Sequence, residues 1–349
     1  MTELTMSDAA ARERPARNPE MRPPRLGFLG VGWIGRHRLK AVLDGGDVEV
    51  AGIVEPSTAM AAEAAALVPR AERLGSLEEL LQLELDGLVI ATPSALHAAQ
   101  SLQALDRGVA VFCQKPLGRT APEVRAVVDA ARGTERLLGV DLSYRHTEGM
   151  MRVRDLVRSG ALGRVHAVDL VFHNAYGPDK PWFYDPALAG GGCVMDLGIH
   201  LVDLVLWALD FPSVRDVASH LSAGGEPLPE RPAQVEDHAV ATLVLEGGTV
   251  VRLACSWRLH AGQDAVIAAD FYGTRGGASF RNVAGSFYDF RAEHFTGTAR
   301  ASLAEPPDAW GGRAVVGWTQ QLARGEGYDA EAEHLVDVAV ALDRIYGRI

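Results

Sequence analysis

The chain has 349 residues, of which 48% are hydrophobic and 23% are charged, and its formal net charge at pH 7 is −11. This is longer than one hydrophobic core usually organises, so the length indicates two domains in a globular protein. The acidic balance argues against nucleic acid as a partner, because a surface that binds nucleic acid is basic.

The start of the chain and its cysteines bear on localisation. Residues 1–24 are polar, contain several prolines and lack the apolar core of a signal peptide, so they are predicted to form a disordered tail. No apolar run is expected to be long enough to span a bilayer, and no membrane partner is expected. Since Cys113, Cys193 and Cys255 form no metal-binding motif, we expect reduced thiols in the cytoplasm.

A glycine-rich turn follows the first predicted strand. The pattern GxGxxG lies between an apolar strand, Arg25–Leu29, and an amphipathic helix, Trp33–Leu43, and the next strand, Val48–Val54, ends at Glu55. In this order the glycines allow a tight turn, the approach of a pyrophosphate and close packing of helix on strand. The helix N-terminus adds N–H donors for phosphates. The predicted dinucleotide-binding residues of the turn are Gly30, Gly32, Trp33, Ile34 and Gly35.

Glu55 is the candidate for selecting the cofactor. A carboxylate at the end of the second strand can accept hydrogen bonds from the adenosine ribose hydroxyls and would repel a 2′-phosphate. No arginine or lysine occurs in the residues that follow, PSTAMAAEAAA. We therefore predict NAD rather than NADP, with an ordinary start of a loop as the alternative interpretation of Glu55.

Strands and helices continue to alternate along the first part of the chain. Further strands are predicted at Gly87–Ala91, Val109–Cys113 and Leu137–Leu142, and helices at Leu77–Leu83, Ala95–Asp106 and Pro122–Arg132. This alternation predicts a parallel sheet with right-handed crossovers, forming a Rossmann dinucleotide-binding domain over residues 25–145. Ligands bind beyond the carboxyl ends of such strands. The candidates at these ends are Thr92, Pro93, His97, Gln114 and Lys115.

Lys115 follows a buried strand and precedes a proline. An ammonium at this position can hydrogen-bond a substrate hydroxyl and ease its deprotonation. The alternative interpretation is an exposed loop lysine, which is the commoner case for a lone lysine.

Strands follow one another without intervening helices in the second part of the chain. They are predicted at Val165–Phe172, Val235–Leu245, Thr249–Trp257 and Ala265–Tyr272, with helices at Met150–Ser159 and Ala330–Tyr346. This pattern predicts an α+β domain with an antiparallel sheet over residues 146–349. One face of the sheet is expected to be open and to serve oligomerisation. The region Gly285–Gly317 is predicted to be irregular and flexible.

The stretch GGGCVMDLGIHLVDLVLW, Gly190–Trp207, carries the strongest signal in this domain. Its three glycines indicate a close approach of the backbone to another group, and a helical pattern follows. Asp196 and His200 lie one turn apart, and a carboxylate beside an imidazole can set the tautomer and basicity needed for proton transfer. The alternatives are a solvated helix face and, less strongly, a metal site at Asp196, His200 and Asp203.

Aromatic residues precede the three glycines. Trp182, Phe183 and Tyr184 follow one another in the chain. An aromatic ring beside a cleft can stack on the apolar face of a sugar, and plain packing is the alternative. Trp182 is the candidate for the stacking contact.

Together these motifs resemble the glucose–fructose oxidoreductase / inositol dehydrogenase family (Gfo/Idh/MocA). The resemblance runs from about Arg25 to the end of the chain, and its motifs are GVGWIG, ATPSALH, CQKP, Tyr144–Arg145 and Gly190–Asp203. It implies a Rossmann domain followed by a domain with a large, mainly antiparallel, open-faced sheet. It further implies an NAD(P)-dependent dehydrogenase of a sugar or cyclitol, a homodimer or homotetramer, and a substrate site that includes Arg145.

The resemblance also implies catalytic roles, because the family's lysine, aspartate and histidine match Lys115, Asp196 and His200. His200 would take the proton of a secondary ring hydroxyl, Lys115 would hydrogen-bond the same oxygen, and Asp196 would orient His200 and the substrate. The hydride would pass to the nicotinamide. The family's usual Glu-Lys-Pro begins here with Gln114, which removes a charge.

Three other functions stay open from the sequence. They are a dinucleotide-binding regulator without turnover, a glycosidase that uses NAD transiently, and a metal-dependent hydrolase, although no metal is expected. The acidic charge is compatible with an amino sugar or aminocyclitol, and a plain sugar or inositol is the safer substrate class.

Overall fold

The computed structural model describes residues 22–46, 48–229 and 233–349, which two β-sheets organise. Residues 1–21 of the predicted tail lie outside the described part. The strands of the first sheet are β1 (Arg25–Leu29), β2 (Glu49–Val54), β3 (Glu72–Leu74), β4 (Gly87–Ile90), β5 (Ala110–Cys113) and β6 (Leu138–Val140). All are parallel, in the order β3-β2-β1-β4-β5-β6. The predicted Rossmann-type sheet is therefore confirmed.

Helices cover both faces of the first sheet, because its short central strands are apolar on both sides. Its helices, numbered in chain order, are α1 (Trp33–Gly45), α2 (Thr58–Leu67), α3 (Leu77–Leu80), α4 (Ser94–Asp106) and α5 (Ala121–Gly133). A later helix, α9 (Arg313–Ala323), packs beside α1, and its Trp318 ring lies 5.7 Å from the ring of Phe112. Residues 25–145, built on the first sheet, are called the nucleotide half, and residues 146–349, which contain the second sheet, are called the sheet half. Helix α9 of the sheet half thus completes the hydrophobic core of the nucleotide half.

Within the described residues, the second sheet has nine strands. They are β7 (Val165–Asn174), β8 (Val214–Ala223), β9 (Glu226–Pro227), β10 (His238–Leu245), β11 (Val250–Ser256), β12 (Ala265–Gly273), β13 (Gly277–Asn282), β14 (Phe290–Thr296) and β15 (Ala299–Ala304). Their order is β15-β14-β13-β12-β7-β11-β10-β8-β9; the β7–β11 pair is parallel, and the other pairs of these strands are antiparallel. This confirms the predicted, mainly antiparallel sheet.

One face of the second sheet packs on helices and the other does not within the described residues. The covering helices are α6 (Glu148–Arg158), α8 (Ile199–Ala208) and α10 (His334–Ile345); α7 (Pro186–Ala189) is a single short turn beyond them. Along β10, Ala239, Ala241 and Leu243 are buried toward the helices, whereas Val240 is 42% exposed on the opposite face. This period of two is typical of an antiparallel sheet with one open face.

The central stretch of the second domain is helical from Val194, and every residue of α8 is buried. It therefore has no solvated face. By length and hydropathy the helical segment Pro186–Ala208 could cross a membrane, so the expectation that no such segment exists was wrong. However, 89% of its apolar window is buried inside the molecule, as in the core helix of a globular domain.

The region Gly285–Gly317 is not irregular as predicted. It contains β14 and β15, which form the edge of the second sheet, and the start of α9. Both strands are rich in charged and small residues, and much of β15 is exposed. Their hydrophobic alternation is weak for this reason, as is common at sheet edges.

Candidate active site

A cleft of about 1330 Å³ is lined by residues of both halves of the molecule. The nucleotide half contributes the glycine turn, Glu55, Thr92, Pro93, His97, Gln114 and Lys115, and the sheet half contributes Trp182, Asp196 and His200. A second cavity of about 1110 Å³ lies at the amino ends of the parallel strands, and none of the predicted site residues lines it. The cleft lies at the carboxyl ends, where α/β sheets bind ligands.

The glycine turn has the geometry of a pyrophosphate cradle. Gly30 has a φ of +83°, and a Cβ there would lie 2.6 Å from the carbonyl oxygen of Ala91. A Cβ at Gly35 would overlap the carbonyl oxygen of Gly30. Beside Gly32, by contrast, the nearest atom is the Met60 sulfur at 3.7 Å. The first and third glycines are needed for packing, and the second leaves the backbone of the helix start open to a phosphate.

Glu55 lies beside this turn. Its Oε2 accepts a hydrogen bond from the Val31 N–H at 2.9 Å, and its Oε1 accepts one from the Ser57 N–H at 3.0 Å. Two backbone donors hold the carboxylate at the end of β2, next to the glycine turn and in the wall of the cleft. This is the position from which an acid can bind ribose hydroxyls, so the residues fit a dinucleotide.

Thr92, Pro93 and His97 form the loop after β4. His97 is 1% exposed, and its two ring nitrogens lie 2.7 Å from the carbonyl oxygens of Thr92 and Pro116. Burial lowers the pKa of His97, against the opposite effect of these two hydrogen bonds. His97 therefore ties the loop after β4 to the loop that carries Lys115, which makes it a support for the cleft wall.

Gln114 belongs to a buried polar cluster that the sequence did not suggest. Its amide nitrogen donates to Asp141, which also accepts hydrogen bonds from Arg38 and, at 2.9 Å, from the Ser143 hydroxyl. The side chain of Asp141 is fully buried. A glutamate at position 114 would place a second negative charge against Asp141, whereas an amide donates to it. Asp141 follows β6 directly, so the rule that selected Lys115 would also have selected Asp141.

Lys115 and Asp196 meet in the cleft. The Lys115 ammonium donates to the carbonyl oxygen of Asp196 at 2.6 Å and to its Oδ1 at 2.7 Å. The other carboxylate oxygen, Oδ2, accepts a hydrogen bond from the indole N–H of Trp257 at 3.1 Å. Trp257 follows β11 and is 3% exposed, and no sequence motif pointed to it as a site residue.

Asp196 and His200 both line the cleft, but no hydrogen bond joins their side chains among the described residues, unlike the pairing expected from the sequence. The prediction assumed a regular α-helix, whereas Val194–Gly198 forms a π-helical turn, in which the Ile199 N–H donates to the carbonyl oxygen of Val194. The carboxylate is turned toward Lys115 and Trp257 instead. Asp196 is therefore hydrogen-bonded to Lys115 rather than to His200.

His200 lines the cleft beside Tyr144. His200 is 8% exposed, and its ring packs edge-on against the Tyr144 ring, with 4.8 Å between centroids. Burial, together with the positive charges of Lys115 and Arg38, lowers the pKa of His200 well below its ordinary value. The buried Nδ1 has no hydrogen-bond partner among the described residues. At neutral pH the imidazole is neutral and able to accept a proton.

Arg145 is the predicted substrate residue that the structure places elsewhere. Its guanidinium donates to both carboxylate oxygens of Asp203, including Oδ2 at 2.8 Å, and lies over the rings of Trp207 and Phe211. Within the described chain it is not part of the cleft lining. Because Asp203 is bound in this ion pair, it is also a poor metal ligand beside Asp196 and His200. Among residues 22–46, 48–229 and 233–349, no group of three His, Cys, Asp or Glu side chains is arranged to hold a metal ion.

Aromatic rings line part of the cleft. Trp182 stacks on Phe183, with 3.8 Å between ring centroids, and Tyr144, Tyr288 and Trp310 line the same cleft. The Trp310 indole donates to the carbonyl oxygen of Tyr288, so these two loops are linked. Apolar ring faces of this kind suit the C–H faces of a sugar or cyclitol.

Family models match both halves of the chain. Residues 25–142 match the model described as "Oxidoreductase family, NAD-binding Rossmann fold", and residues 150–279 match the "GFO/IDH/MocA C-terminal domain". The chain belongs to the GFO/IDH/MocA family. A putative UDP-kanosamine synthase oxidoreductase subunit of Amycolatopsis mediterranei (strain S699) is 31% identical over 70% of this chain and 71% of its own. The family resemblance inferred from the motifs is thereby confirmed.

Three further proteins are similar to this chain at lower identity. D-glucoside 3-dehydrogenase of Escherichia coli (strain K12) is 29% identical over 57% of this chain, which spans 60% of that relative. GenD2 from gentamicin A biosynthesis, solved with NAD, has a TM-score of 0.79 at 22% identity over 96% of this chain and 97% of its own. KijD10, a 3-ketoreductase from Actinomadura kijaniata solved with NADP, has a TM-score of 0.80 at 20% identity over 93% and 98%. These two structures establish the shared fold.

Proposed function

We propose that this protein is an NAD-dependent dehydrogenase that oxidises a secondary ring hydroxyl of a sugar or cyclitol, or reduces the corresponding ketone. The supporting observation is the meeting of Lys115, Asp196 and His200 in one cleft that also contains the glycine turn and Glu55. A positively charged donor and a neutral imidazole beside a dinucleotide cradle are the groups that hydride transfer from an alcohol requires.

The cofactor would be held by the N–H groups at the start of α1, opposite Gly32, and by Glu55 at the adenosine ribose. When bound, NAD supplies the hydride acceptor. The negative charge of Glu55, and the absence of a cation in residues 56–66, favour NAD over NADP. Because GenD2 was solved with NAD and KijD10 with NADP, this preference is a proposal for this chain.

The protein's own groups handle the proton. His200 accepts the hydroxyl proton, and Lys115 donates a hydrogen bond to the same oxygen, which stabilises the negative charge that develops there. Asp196 and Trp257 hold Lys115 in place. In the reverse direction, the low pKa of His200 makes its protonated form a strong acid that readily returns the proton to a ketone oxygen.

A sugar or cyclitol is the proposed substrate class. The family relatives include a D-glucoside 3-dehydrogenase and an inositol 2-dehydrogenase, and the aromatic wall around Trp182 suits a ring with C–H faces. Amino sugars and aminocyclitols belong in the same test because the chain is acidic. We further propose a cytoplasmic homo-oligomer that associates through the open face of the second sheet.

The experiment is a screen of sugars, inositols and aminocyclitols with NAD and NADP side by side, following the absorbance of the reduced nicotinamide. A substrate-dependent rise with NAD is the expected result. Cofactor binding without turnover on any substrate would instead indicate a regulator, and sugar release without net reduced cofactor would indicate a glycosidase. Turnover that needs an added metal ion and no dinucleotide would indicate a hydrolase.

A further inference from the structure

The triglycine segment Gly190–Gly192 packs against the protein itself. A Cβ at Gly191 would overlap the hydroxyl of Tyr346, and a Cβ at Gly192 would overlap the backbone carbonyl of Glu236. Arg348 donates to the carbonyl oxygen of Gly190. The close approach that the glycines indicated is therefore an approach to Glu236 and to the residues at and after the end of α10.

Glu236 binds the N–H groups at the start of the π-helical turn that carries Asp196. Its Oε1 accepts hydrogen bonds from the N–H groups of Gly192 and Val194, both at 2.9 Å. Its backbone carbonyl accepts one from the N–H of Cys193 at 3.0 Å. The first N–H groups of a helix have no partners within the helix, and a carboxylate there is also favoured by the helix dipole. Glu236, which is 2% exposed, acts as a cap from a distant part of the chain.

Tyr346 supplies the remaining contacts. Its hydroxyl donates to Oε1 of Glu236 at 2.7 Å and accepts a hydrogen bond from the Met195 N–H at 3.1 Å. The four consecutive N–H groups of residues 192–195 are therefore all bound by Glu236 and Tyr346. The next residue is Asp196, whose carbonyl and carboxylate both receive the Lys115 ammonium.

We propose that Glu236 and Tyr346 are positioning residues for the reaction, holding the backbone of residues 192–195 so that Asp196 meets Lys115. This inference rests on the proposed dehydrogenase function. Neither side chain lines the cleft, so both act through the backbone. Their effect on catalysis arises because a small displacement of a polar group in the site lowers turnover more than it lowers binding.

The test uses Tyr346→Phe, which removes only the hydroxyl and leaves the Met195 N–H without its acceptor. We expect kcat to fall about tenfold or more, because an unpaired buried polar group shifts the segment, while KM and the affinity for NAD change by less than about threefold. Glu236→Gln should act in the same direction. Hydrogen exchange followed by mass spectrometry should show the amides of residues 192–196 exchanging about tenfold faster in both variants.

A matched control is Tyr328→Phe, because the Tyr328 hydroxyl also donates to a glutamate, Glu333, at a place that does not line the cleft. This variant should keep wild-type kcat and wild-type exchange over residues 192–196. Unchanged exchange in Tyr346→Phe would overturn the proposal, and so would faster exchange with wild-type kcat, which would make the contacts purely structural. Failure of the dehydrogenase function would look different, as absence of turnover in the wild-type protein with either cofactor.

Discussion

The ammonium of Lys115 binds both the backbone carbonyl oxygen and the carboxylate of Asp196, although the two residues are 81 positions apart in the chain. Lys115 follows β5 of the parallel sheet, and Asp196 lies in the π-helical turn before α8 of the other half. Both side chains are less than one fifth exposed, so solvent and salt screen the pair only partly. The contact joins the two halves at the point where the reaction is proposed to occur.

Replacement of Lys115 by methionine should abolish most turnover. The variant keeps the length of the side chain but loses the charge that stabilises the substrate oxygen, so we expect kcat to fall by about two to four orders of magnitude. Binding of NAD should persist, because Gly32 and Glu55 are unaffected. Steady-state kinetics and a fluorescence titration with NAD measure the two effects. Turnover close to that of the wild type would show that Lys115 is not catalytic.

Trp257→Phe should reduce kcat by less than the replacement of Lys115 by methionine does. The variant retains an aromatic ring but removes the N–H that donates to Oδ2 of Asp196. A hydrogen bond to a charged group contributes about 1.5–3 kcal/mol, which corresponds to about tenfold or more in rate if the contact matters throughout the reaction. The matched control is Trp318→Phe, because the Trp318 indole nitrogen is buried without a partner among the described residues. Equal losses of kcat in the two variants would contradict a role for Trp257.

The sequence alone was sufficient to predict those parts of the candidate site that depend on residues lying close together in the chain. Strand, glycine turn, helix, strand and acid lie close together, so Gly30, Gly32 and Glu55 could be assigned from spacing. Lys115 and Asp196 could be selected one by one, since each occupies a recognisable position after a strand or at the start of a helix. The open face of the second sheet was expected because its strands follow one another without helices, which predicts an antiparallel sheet.

The contacts between distant segments could not be predicted. Which residue pairs with Asp196 depends on a π-helical turn, and its insertion has no signature in a single sequence. Tertiary packing brings Asp141 to Gln114, where it accepts a hydrogen bond from the amide. It also brings Glu236 to the start of the π-helical turn, where it caps the backbone N–H groups. The edge strand β15 was missed because its exposed residues are charged or small, as edge strands often are.

Glu55→Ala should shift the cofactor preference toward NADP. The variant removes the acceptor for the ribose hydroxyls and the charge that repels a 2′-phosphate, so the ratio of kcat/KM for NAD to that for NADP should fall about tenfold or more. Glu49→Gln is a suitable control, because Glu49 is exposed and pairs with Arg25 at the other end of β2. An unchanged ratio in Glu55→Ala would leave Glu55 without a part in selecting the cofactor.

A charge on the open face of the second sheet should dissociate the proposed oligomer. Val240 is 42% exposed on this face and lies between His220 of β8 and Ala254 of β11. Val240→Glu would bury an unpaired charge if a second copy packs there, which costs several kcal/mol. Sedimentation velocity should show a wild-type oligomer and a smaller species for this variant. Leu67→Glu, at an equally exposed position of α2, should keep the wild-type size, and a monomeric wild type would refute the proposal.

The buried His200 should make stability depend on pH in a defined direction. Its pKa is lowered well below the ordinary value of about 6.5 by burial and by Lys115 and Arg38, so below about pH 6.5 the unfolded chain binds a proton that the folded protein does not. The free energy of unfolding should therefore fall as the pH drops from about 6.5 toward the lowered pKa, and His200 should have no such effect above this range.

His200→Asn tests this linkage, because asparagine stays neutral at every pH in the range. Urea unfolding at a series of pH values from about 7 to about 5 should give a slope that is shallower than the wild-type slope by up to about 1.4 kcal/mol per pH unit. His97 and His146, whose pKa values are also lowered mainly by burial, should leave a residual slope of the same sign. Identical slopes in the variant and the wild type would mean that His200 takes up a proton in the folded protein as easily as in the unfolded chain. Such a histidine would be partly charged near neutral pH, which would contradict the buried, neutral imidazole of the site.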